Sequence, residues 1–352
     1  MDSDDGKGGF TYGGLYIVTG GLGGIGRLLC RYLLSFYRAK IVMIGRRDIE
    51  KDSQYRQTLC LLKQIAETVH YEKANVADYE AIKRVVEKYE QKYRMGISEI
   101  LHLSGIGNLK EHWQEAERRF IANCDEEFYE KMFEAKITGT RNLYRIAADR
   151  KDVRLLLFGS TNGFFGTASF GAYSAANSFL PAFARAKQQE GENVLCVNSG
   201  SWKNTGLSYD SGFEDMGRNK GFYDIEGDAG VISIERCLGA KACSVYIGLD
   251  RRKNYIKKYM LQEMPQEEKK QDREISAFDD MDRRLIKIWE KLLDGKVRYP
   301  EDDFFELGGD SIKAFQLPKE IQKEFGTELS AREIFCFSRF DEMKKRIKER
   351  VD

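Results

Sequence analysis

Proline and histidine are scarce in this chain of 352 residues, which has four prolines and three histidines. So few prolines leave long stretches free to form helices and strands. The histidines, His70, His102 and His112, do not group with cysteines at the spacing of a zinc site, so we expect no metal. The seven cysteines are scattered, odd in number and never spaced C-x-x-C, which indicates reduced thiols in a cytoplasmic protein.

An excess of one charge and long apolar runs are also missing. Lysine and arginine number 57 and the acidic residues 56, so the net charge is +1. That balance argues against a nucleic acid as a partner, since phosphate contacts need clustered positive charge. No apolar run approaches the roughly 18 residues that a membrane helix needs. The polar, acidic start is not a signal peptide. A hydrophobic share of 42% and a charged share of 32% are typical of a globular protein, and the length suggests two domains.

Strand-like and helix-like segments alternate from Leu15 onward. The strand LYIVTG precedes a glycine turn and the helix RLLCRYLLSFY, and the same order repeats through KIVMIG, EILHLSG and VRLLLFGS. Alternation of this kind predicts an α/β Rossmann-like fold, a doubly wound parallel sheet with helices on both faces.

Around residue 260 the character of the sequence changes. The stretch QEMPQEEKKQDREIS is charged and is typical of a linker. Beyond it, Leu285, Ile288 and Trp289 share one helical face and predict a small all-α, four-helix domain. We therefore expect an α/β domain over residues 10–258, a linker over 259–276 and the helical domain over 277–352.

The turn after the first strand carries glycines at a spacing that binds dinucleotides. Gly21-x-Gly23-x-x-Gly26 directly follows a strand and opens a helix, which is the context that this motif requires. Glycines let the backbone approach a pyrophosphate, and the helix N-terminus offers unpaired N–H groups to its charge. The cofactor-binding residues predicted here are Gly20, Gly21, Leu22, Gly23, Gly24, Ile25 and Gly26.

The end of the second strand predicts which nucleotide binds. An acidic residue there would hydrogen-bond the ribose 2′-hydroxyl of NADH, but this chain has Arg46 and Arg47. A guanidinium pairs with a 2′-phosphate, so we predict NADPH. We assign four further residues to the cofactor site: Asn75 and Val76, after the third strand, where adenine is commonly contacted, and Ser104 and Gly105, after the fourth.

A second group of motif residues lies further along the chain. Ser160 ends a strand, Tyr173 follows on the next helix-like stretch, and Asn177 lies four residues beyond. This pattern resembles the short-chain dehydrogenase/reductases, most of which carry Tyr-x-x-x-Lys. Here the lysine lies upstream as Lys136, and that exchange of Lys and Asn is characteristic of the ketoreductase domains of polyketide and nonribosomal peptide synthases. The resemblance covers roughly residues 10 to 258, and VNSGSW from Asn198 is also similar to their NWGxW segment.

The resemblance implies a catalytic group of four residues. Hydride transfer to a ketone leaves negative charge on oxygen, and the Tyr173 phenol would donate a proton to it. A free phenol has a pKa of about 10, and the Lys136 ammonium would lower it. Ser160 would donate a second hydrogen bond to the oxygen, and Asn177 would fix the lysine or a relay water.

The helical segment contains the stretch DFFELGGDSIKA from Asp303, which resembles the phosphopantetheine site of acyl and peptidyl carrier proteins. The resemblance implies that a phosphopantetheinyl transferase attaches 4′-phosphopantetheine to Ser311. Gly308 and Gly309 would free the loop, and the N-terminus of the helix at Ser311 tolerates the phosphate charge. Pro318 is expected to kink this helix or to cost about 3 kcal/mol. The acidic residues near this site would steer a basic partner or would merely be solvated: Glu301, Asp302, Asp303, Glu306 and Asp310.

Together the two segments indicate an enzyme whose substrate is an acyl thioester on its own carrier domain. Its other partners would be adjacent synthetase domains, such as adenylation, condensation or ketosynthase domains. The FFELGGDS form is more similar to peptidyl carriers, and the chain starts close to the first strand, without the structural subdomain that usually precedes a polyketide ketoreductase. Both features favour an α-ketoacyl substrate in a depsipeptide synthetase. Two alternatives remain: a β-ketoacyl substrate in a polyketide or hybrid module, or an inactive reductase scaffold with a functional carrier.

Overall fold

The structure is a computed structural model. It describes residues 9–105, 126–166, 171–205, 220–261, 278–293, 295–305, 307–309, 311–330, 333–334 and 337–351. The chain divides into two compact units, Met1–Ser211 with Asp224–Gly248, and Gly212–Tyr223 with Leu249–Asp352. Within the described ranges, no helix is long and apolar enough to cross a membrane. The linker predicted over 259–276 lies almost wholly outside these ranges, so the predicted domain boundaries stay a prediction.

A seven-stranded sheet forms the centre of the first unit, in the order β3-β2-β1-β4-β5-β6-β7. All neighbouring strands are parallel, which confirms the predicted doubly wound α/β fold. The strand order reverses between β1 and β4, so a crevice opens there at the carboxyl ends of the strands. The strands are Leu15–Thr19 (β1), Lys40–Gly45 (β2), Val69–Lys73 (β3), Glu99–His102 (β4), Arg154–Ser160 (β5), Val194–Ser199 (β6) and Ser244–Ile247 (β7).

Helices cover both faces of this sheet because successive residues of each strand point to opposite sides. Tyr16 and Val18 of β1 pack in one buried cluster, and Leu15 and Ile17 pack in the other. A π-helical turn, Glu134–Thr138, lies between the helices Glu126–Phe133 and Gly139–Ala148. The helices are Gly24–Tyr37 (α1), Ser53–Ile65 (α2), Tyr79–Tyr93 (α3), Glu126–Phe133 (α4), Gly139–Ala148 (α5), Asn162–Phe165 (α6), Gly171–Gln189 (α7) and Gly227–Cys237 (α8).

The second unit is helical, as predicted. A short helix, Asn254–Ile256, runs into a π-helical turn, Lys257–Leu261, and the part of the chain that the structure describes has three longer helices after it: Asp280–Leu292, Ser311–Phe325 and Phe340–Val351. The first of the three begins with a capping box between Asp279 and Asp282. The core of the second unit contains the buried Trp289. The centroid of its ring lies 5.2 Å from that of Phe304 and 5.3 Å from that of Phe340.

The helix Ser311–Phe325 contains Pro318 and continues through it. The sequence predicts a kink or a loss of stability there, because proline lacks the N–H that would donate to the Ala314 carbonyl, and this stays a prediction. Leu317 and Ile321, on either side of the proline, are both fully buried in the core of the second unit. Their burial supports the helix across the position of the missing hydrogen bond.

Candidate active site

The glycine turn lies where the strand order reverses, at the end of β1. Gly20 has a φ of +73°, a left-handed conformation that favours glycine. A Cβ atom on Gly26 would lie 2.4 Å from the Gly20 carbonyl oxygen, so a side chain does not fit there. Asp52 caps α2 through a side-chain hydrogen bond, whereas the residue that caps α1, Gly23, makes none. The first turn of α1 therefore offers backbone N–H groups to an anion, and the turn fits a pyrophosphate.

We predict that Gly26→Ala weakens NADPH binding at least about tenfold, since the added carbon pushes the turn away from the pyrophosphate. Isothermal titration with NADPH measures this loss. Gly96→Ala is a matched control, because that glycine also lacks a positive φ and its added carbon would meet nothing closer than Glu90 Oε1 at 3.9 Å. Unchanged affinity in Gly26→Ala would exclude this turn as the pyrophosphate site.

Two exposed arginines follow β2, where an adenosine ribose would lie. Arg46 is 53% exposed and Arg47 56% exposed, so both guanidinium groups are accessible to a phosphate. Arg47 pairs with Asp52 at 3.1 Å and lies over the Tyr55 ring. Arg46 pairs at 3.1 Å with Glu134, a residue that was not predicted from the sequence. The two guanidinium groups fit the 2′-phosphate of a nucleotide.

Asn75 and Val76, assigned to the adenine, lie beyond β3. Asn75 Nδ2 donates to Glu134 Oε1 at 2.8 Å, so the same carboxylate contacts residues after two neighbouring strands. The carbonyl of Val76 accepts a hydrogen bond from Asn142 on α5 at 3.1 Å, which fixes the backbone at this position.

The structure brings Ser160, Tyr173 and Asn177 together. Tyr173 and Asn177 lie one turn apart on α7, and Asn177 Nδ2 donates to the Tyr173 backbone carbonyl at 2.9 Å. The Tyr173 side chain also makes hydrogen bonds with Ser160, at the end of β5, and with Asn177. Burial raises the pKa of Tyr173 above its ordinary value, and these two hydrogen bonds oppose that rise. The phenol is therefore protonated at neutral pH and is held in place by these two side chains.

Lys136 lies in the π-helical turn Glu134–Thr138, and such turns often occur at functional sites. Its ammonium is buried and donates to the Phe158 carbonyl on β5 at 2.7 Å. A Cβ atom on Gly105 would lie 3.2 Å from Lys136 Cε, so the lysine passes beside the chain that leaves β4. Burial lowers the pKa of Lys136 to about 8. The expected action of Lys136 on Tyr173 stays a prediction.

Two hydrogen bonds that were not predicted from the sequence connect β1, through His102, to the π-helical turn Glu134–Thr138. A carbonyl oxygen only accepts, so His102 Nε2–H donates to the Ala135 carbonyl at 3.0 Å, and Nδ1 accepts from Thr19 Oγ1 at 2.7 Å. Burial, together with the nearby Lys136 charge, lowers the pKa of His102 to about 3, so the ring is neutral. Ser104 N also donates to Thr19 Oγ1, at 3.3 Å, which connects this residue, predicted to contact the cofactor, to β1. The position of His102 at the end of a buried strand was the available signal.

The loop before the helix Ser311–Phe325 is shaped by its two glycines. Gly308 has a φ of +97° and its carbonyl accepts from Lys313 Nζ at 3.1 Å. A Cβ atom on Gly309 would lie 2.4 Å from the Phe304 carbonyl oxygen. We expected these glycines to free the loop, but they allow a close, fixed approach to Phe304. The side chain of Ser311, together with Glu306 and Asp310, lies outside the described residues.

A parallel sheet with a glycine turn at its reversal point, and a serine and a tyrosine beside it, define an oxidoreductase that acts on carbonyl or hydroxyl groups. The chain belongs to the ketoreductase (KR) domain family, whose model matches residues 14–204. A second model, the phosphopantetheine attachment site, matches residues 283–347. The match to the KR domain implies the use of NADPH, and the match to the phosphopantetheine attachment site implies covalent 4′-phosphopantetheine.

Similar proteins are large synthases. Erythronolide synthase EryA3 of Saccharopolyspora erythraea is 28% identical over 68% of this chain, and the aligned segment makes up 7% of the length of that synthase. Polyketide synthase PksN of Bacillus subtilis is 26% identical over 65% of this chain, and the aligned segment makes up 4% of the length of that synthase.

A similar solved structure is a multidomain structure with adenylation, ketoreductase and pseudo Asub domains from a keto acid-selecting NRPS module. It is 31% identical with a TM-score of 0.64, over 72% of this chain and 21% of that chain. A-type ketoreductases from a modular polyketide synthase share the fold, with 22% identity and a TM-score of 0.62 over 74% of this chain and 53% of that chain.

Proposed function

We propose that this chain reduces an α-ketoacyl thioester, carried on phosphopantetheine at Ser311, to the α-hydroxyacyl thioester within a nonribosomal depsipeptide synthetase. The observation that carries the proposal is the 31% identity with the ketoreductase-containing keto acid-selecting module. The FFELGGDS stretch, which resembles peptidyl carriers, supports the same choice. A β-ketoacyl substrate is the second candidate, because relatives such as Polyketide synthase PksN are named as polyketide synthases.

The proton donor in this mechanism is Tyr173. NADPH, when bound, supplies the hydride for the carbonyl carbon. The Tyr173 hydroxyl donates its proton to the carbonyl oxygen, and its raised pKa keeps that proton on the phenol until charge develops on the substrate. Ser160, within hydrogen-bond reach of Tyr173, orients the phenol and donates to the same oxygen. Asn177 holds Tyr173 from the next turn of α7.

We propose that Lys136 supplies the positive charge that acts on Tyr173. Its ammonium, anchored on the Phe158 carbonyl, favours the phenolate that forms when Tyr173 loses its proton. The neutral His102 ring fixes the Ala135 carbonyl directly before the lysine, and so holds the π-helical turn in position. Tyr173, Ser160, Lys136 and Asn177 are the catalytic group that we propose.

The carrier would present the substrate from the same chain. We propose a ketoreductase over residues 10–258, a linker over 259–276 and a carrier over 277–352, in a cytoplasmic synthetase. A tether raises the effective concentration of the substrate at Tyr173, so the intrinsic affinity can be weak. A phosphopantetheinyl transferase would load Ser311, and neighbouring adenylation and condensation domains would deliver and consume the acyl group.

The experiment compares matched α-keto and β-keto acyl pantetheine arms loaded on the full chain. NADPH oxidation and the mass of the carrier-bound product are followed together. We expect the α-keto arm to be reduced at least about tenfold faster, since a shift of the carbonyl by one carbon changes its fit to the donors. Ser311→Ala is the control, because it cannot be loaded.

Each result decides between the candidates. Faster reduction of the β-keto arm would contradict the α-keto proposal and favour a polyketide or hybrid module. Failure of both loaded arms to oxidise NADPH would favour an inactive reductase scaffold. Loading of Ser311→Ala would remove Ser311 as the attachment point.

A further inference from the structure

Glu134 lies beside the arginine that is proposed to bind the 2′-phosphate. We propose that Glu134 sets the cofactor preference of this site, because its carboxylate competes with the 2′-phosphate of NADPH for Arg46. This inference rests on the proposed NADPH site at Arg46 and Arg47. It adds a specificity-determining residue that lies 88 positions from Arg46 along the chain.

The geometry places the Glu134 carboxylate between two strand ends. Oε2 accepts from Arg46 Nη1 at 3.1 Å, and Oε1 accepts from Asn75 Nδ2 at 2.8 Å. Arg46 directly follows β2 and Asn75 follows β3, and an adenosine binds beside these two positions in sheets of this kind. The carboxylate therefore lies where the ribose and its 2′-substituent would lie.

The negative charge of Glu134 affects which cofactor can bind beside Arg46. The Arg46 and Glu134 side chains are 53% and 35% exposed, and an exposed ion pair is weak enough for a phosphate to displace. Once the phosphate has displaced Glu134 from Arg46, the carboxylate is still within a few ångströms and repels the phosphate. A ribose 2′-hydroxyl, in contrast, can donate to a carboxylate. Glu134 thus opposes NADPH and tolerates NADH.

Asp52, the acidic partner of Arg47, is a less suitable position for a test. Its Oδ1 accepts from Tyr55 N at 3.1 Å and caps α2, so its replacement would also disturb that helix. Glu134 can be replaced by Gln with little change of shape, and the amide oxygen of Gln can still accept from Asn75.

The test measures binding of two adenosine ligands without a nicotinamide, by isothermal titration. The ligands are 2′,5′-ADP and AMP, which differ only in the 2′-phosphate. We expect Glu134→Gln to bind 2′,5′-ADP about tenfold more tightly than the wild type and to bind AMP within about twofold of it. Glu134→Ala is expected to change affinity in the same direction, and thermal unfolding without ligand checks the fold of both variants.

Glu127→Gln is the matched control, because it removes the same charge from an exposed glutamate on α4 that pairs with Lys131. Equal tightening in Glu127→Gln would reduce the effect to net charge and overturn the inference. Unchanged or weaker binding of 2′,5′-ADP by Glu134→Gln would also overturn it. If the wild type itself binds 2′,5′-ADP and AMP equally, the proposed 2′-phosphate site is wrong, and the fault lies in the proposed function.

Discussion

Replacement of Tyr173 by Phe is expected to lower the rate of carbonyl reduction about 10³-fold, because a positioned general acid contributes about 10²–10⁴-fold to such a reaction. The change removes one hydroxyl, the group that makes hydrogen bonds with Ser160 and Asn177, and keeps the ring. We therefore expect the affinity for NADPH and the unfolding temperature to stay close to those of the wild type. Single-turnover oxidation of NADPH by the loaded chain measures the rate.

Tyr12→Phe is the matched control for this prediction. Tyr12 is 63% exposed, and its loss of a hydroxyl is expected to leave the rate unchanged. If Tyr173→Phe retained more than about a tenth of the wild-type rate, the phenol could not be the main proton donor. A large fall in the affinity for NADPH would instead assign Tyr173 to cofactor binding.

The parts of the fold that were predicted correctly depend on contacts close in the chain. The alternation of strand and helix from Leu15, and the glycine turn up to Gly26, are local patterns, and the structure confirms both. The helical character of the second unit was also visible in the spacing of Leu285, Ile288 and Trp289. A helix that contains Pro318 was predicted, whereas the burial of Leu317 beside the proline was not, because that burial depends on a core built from distant residues.

The same division applies to the site. Tyr173, Ser160, Asn177 and Lys136 were all predicted from the family resemblance, which rests on short motifs that can be read along the chain. The hydrogen bond between Thr19 and His102 could not be predicted, because it requires the register in which β1 and β4 pair these two residues.

The partners of the turn that carries the lysine were also missed. Its glutamate, Glu134, binds residues after β2 and β3, and Lys136 binds the backbone of β5. Each of these contacts joins segments that only the folded sheet brings together. No spacing in the chain marks Glu134, which in the sequence is one acidic residue among many.

Lys136 gives the second large prediction, a loss of activity at high pH. Burial lowers the pKa of its ammonium from an ordinary 10.5 to about 8, so the positive charge that we propose to act on Tyr173 is present below pH 8 and is lost above it. We expect the reduction rate to be level below this pH and to fall about tenfold per pH unit above it. Lys136→Met is expected to lose about 10²-fold in rate and to lose this dependence, as measured in single turnovers from about pH 6 to 9.5.

Stability is expected to change in the opposite direction. The pKa of Lys136 is lower in the folded chain than in the unfolded chain, so the unfolded chain binds more protons between about pH 8 and 10.5. Unfolding therefore becomes less favourable as the pH rises through that range. Lys136→Met lacks this contribution to stability.

Lys131→Met is the control for the reduction rate. Lys131 is an exposed lysine on α4, so this variant is expected to keep both the rate and the pH dependence of the wild type. A wild-type rate that stays level to the top of the measured pH range would show that the charge on Lys136 does not assist Tyr173. A rate that falls equally in Lys136→Met would assign the titration to a different group.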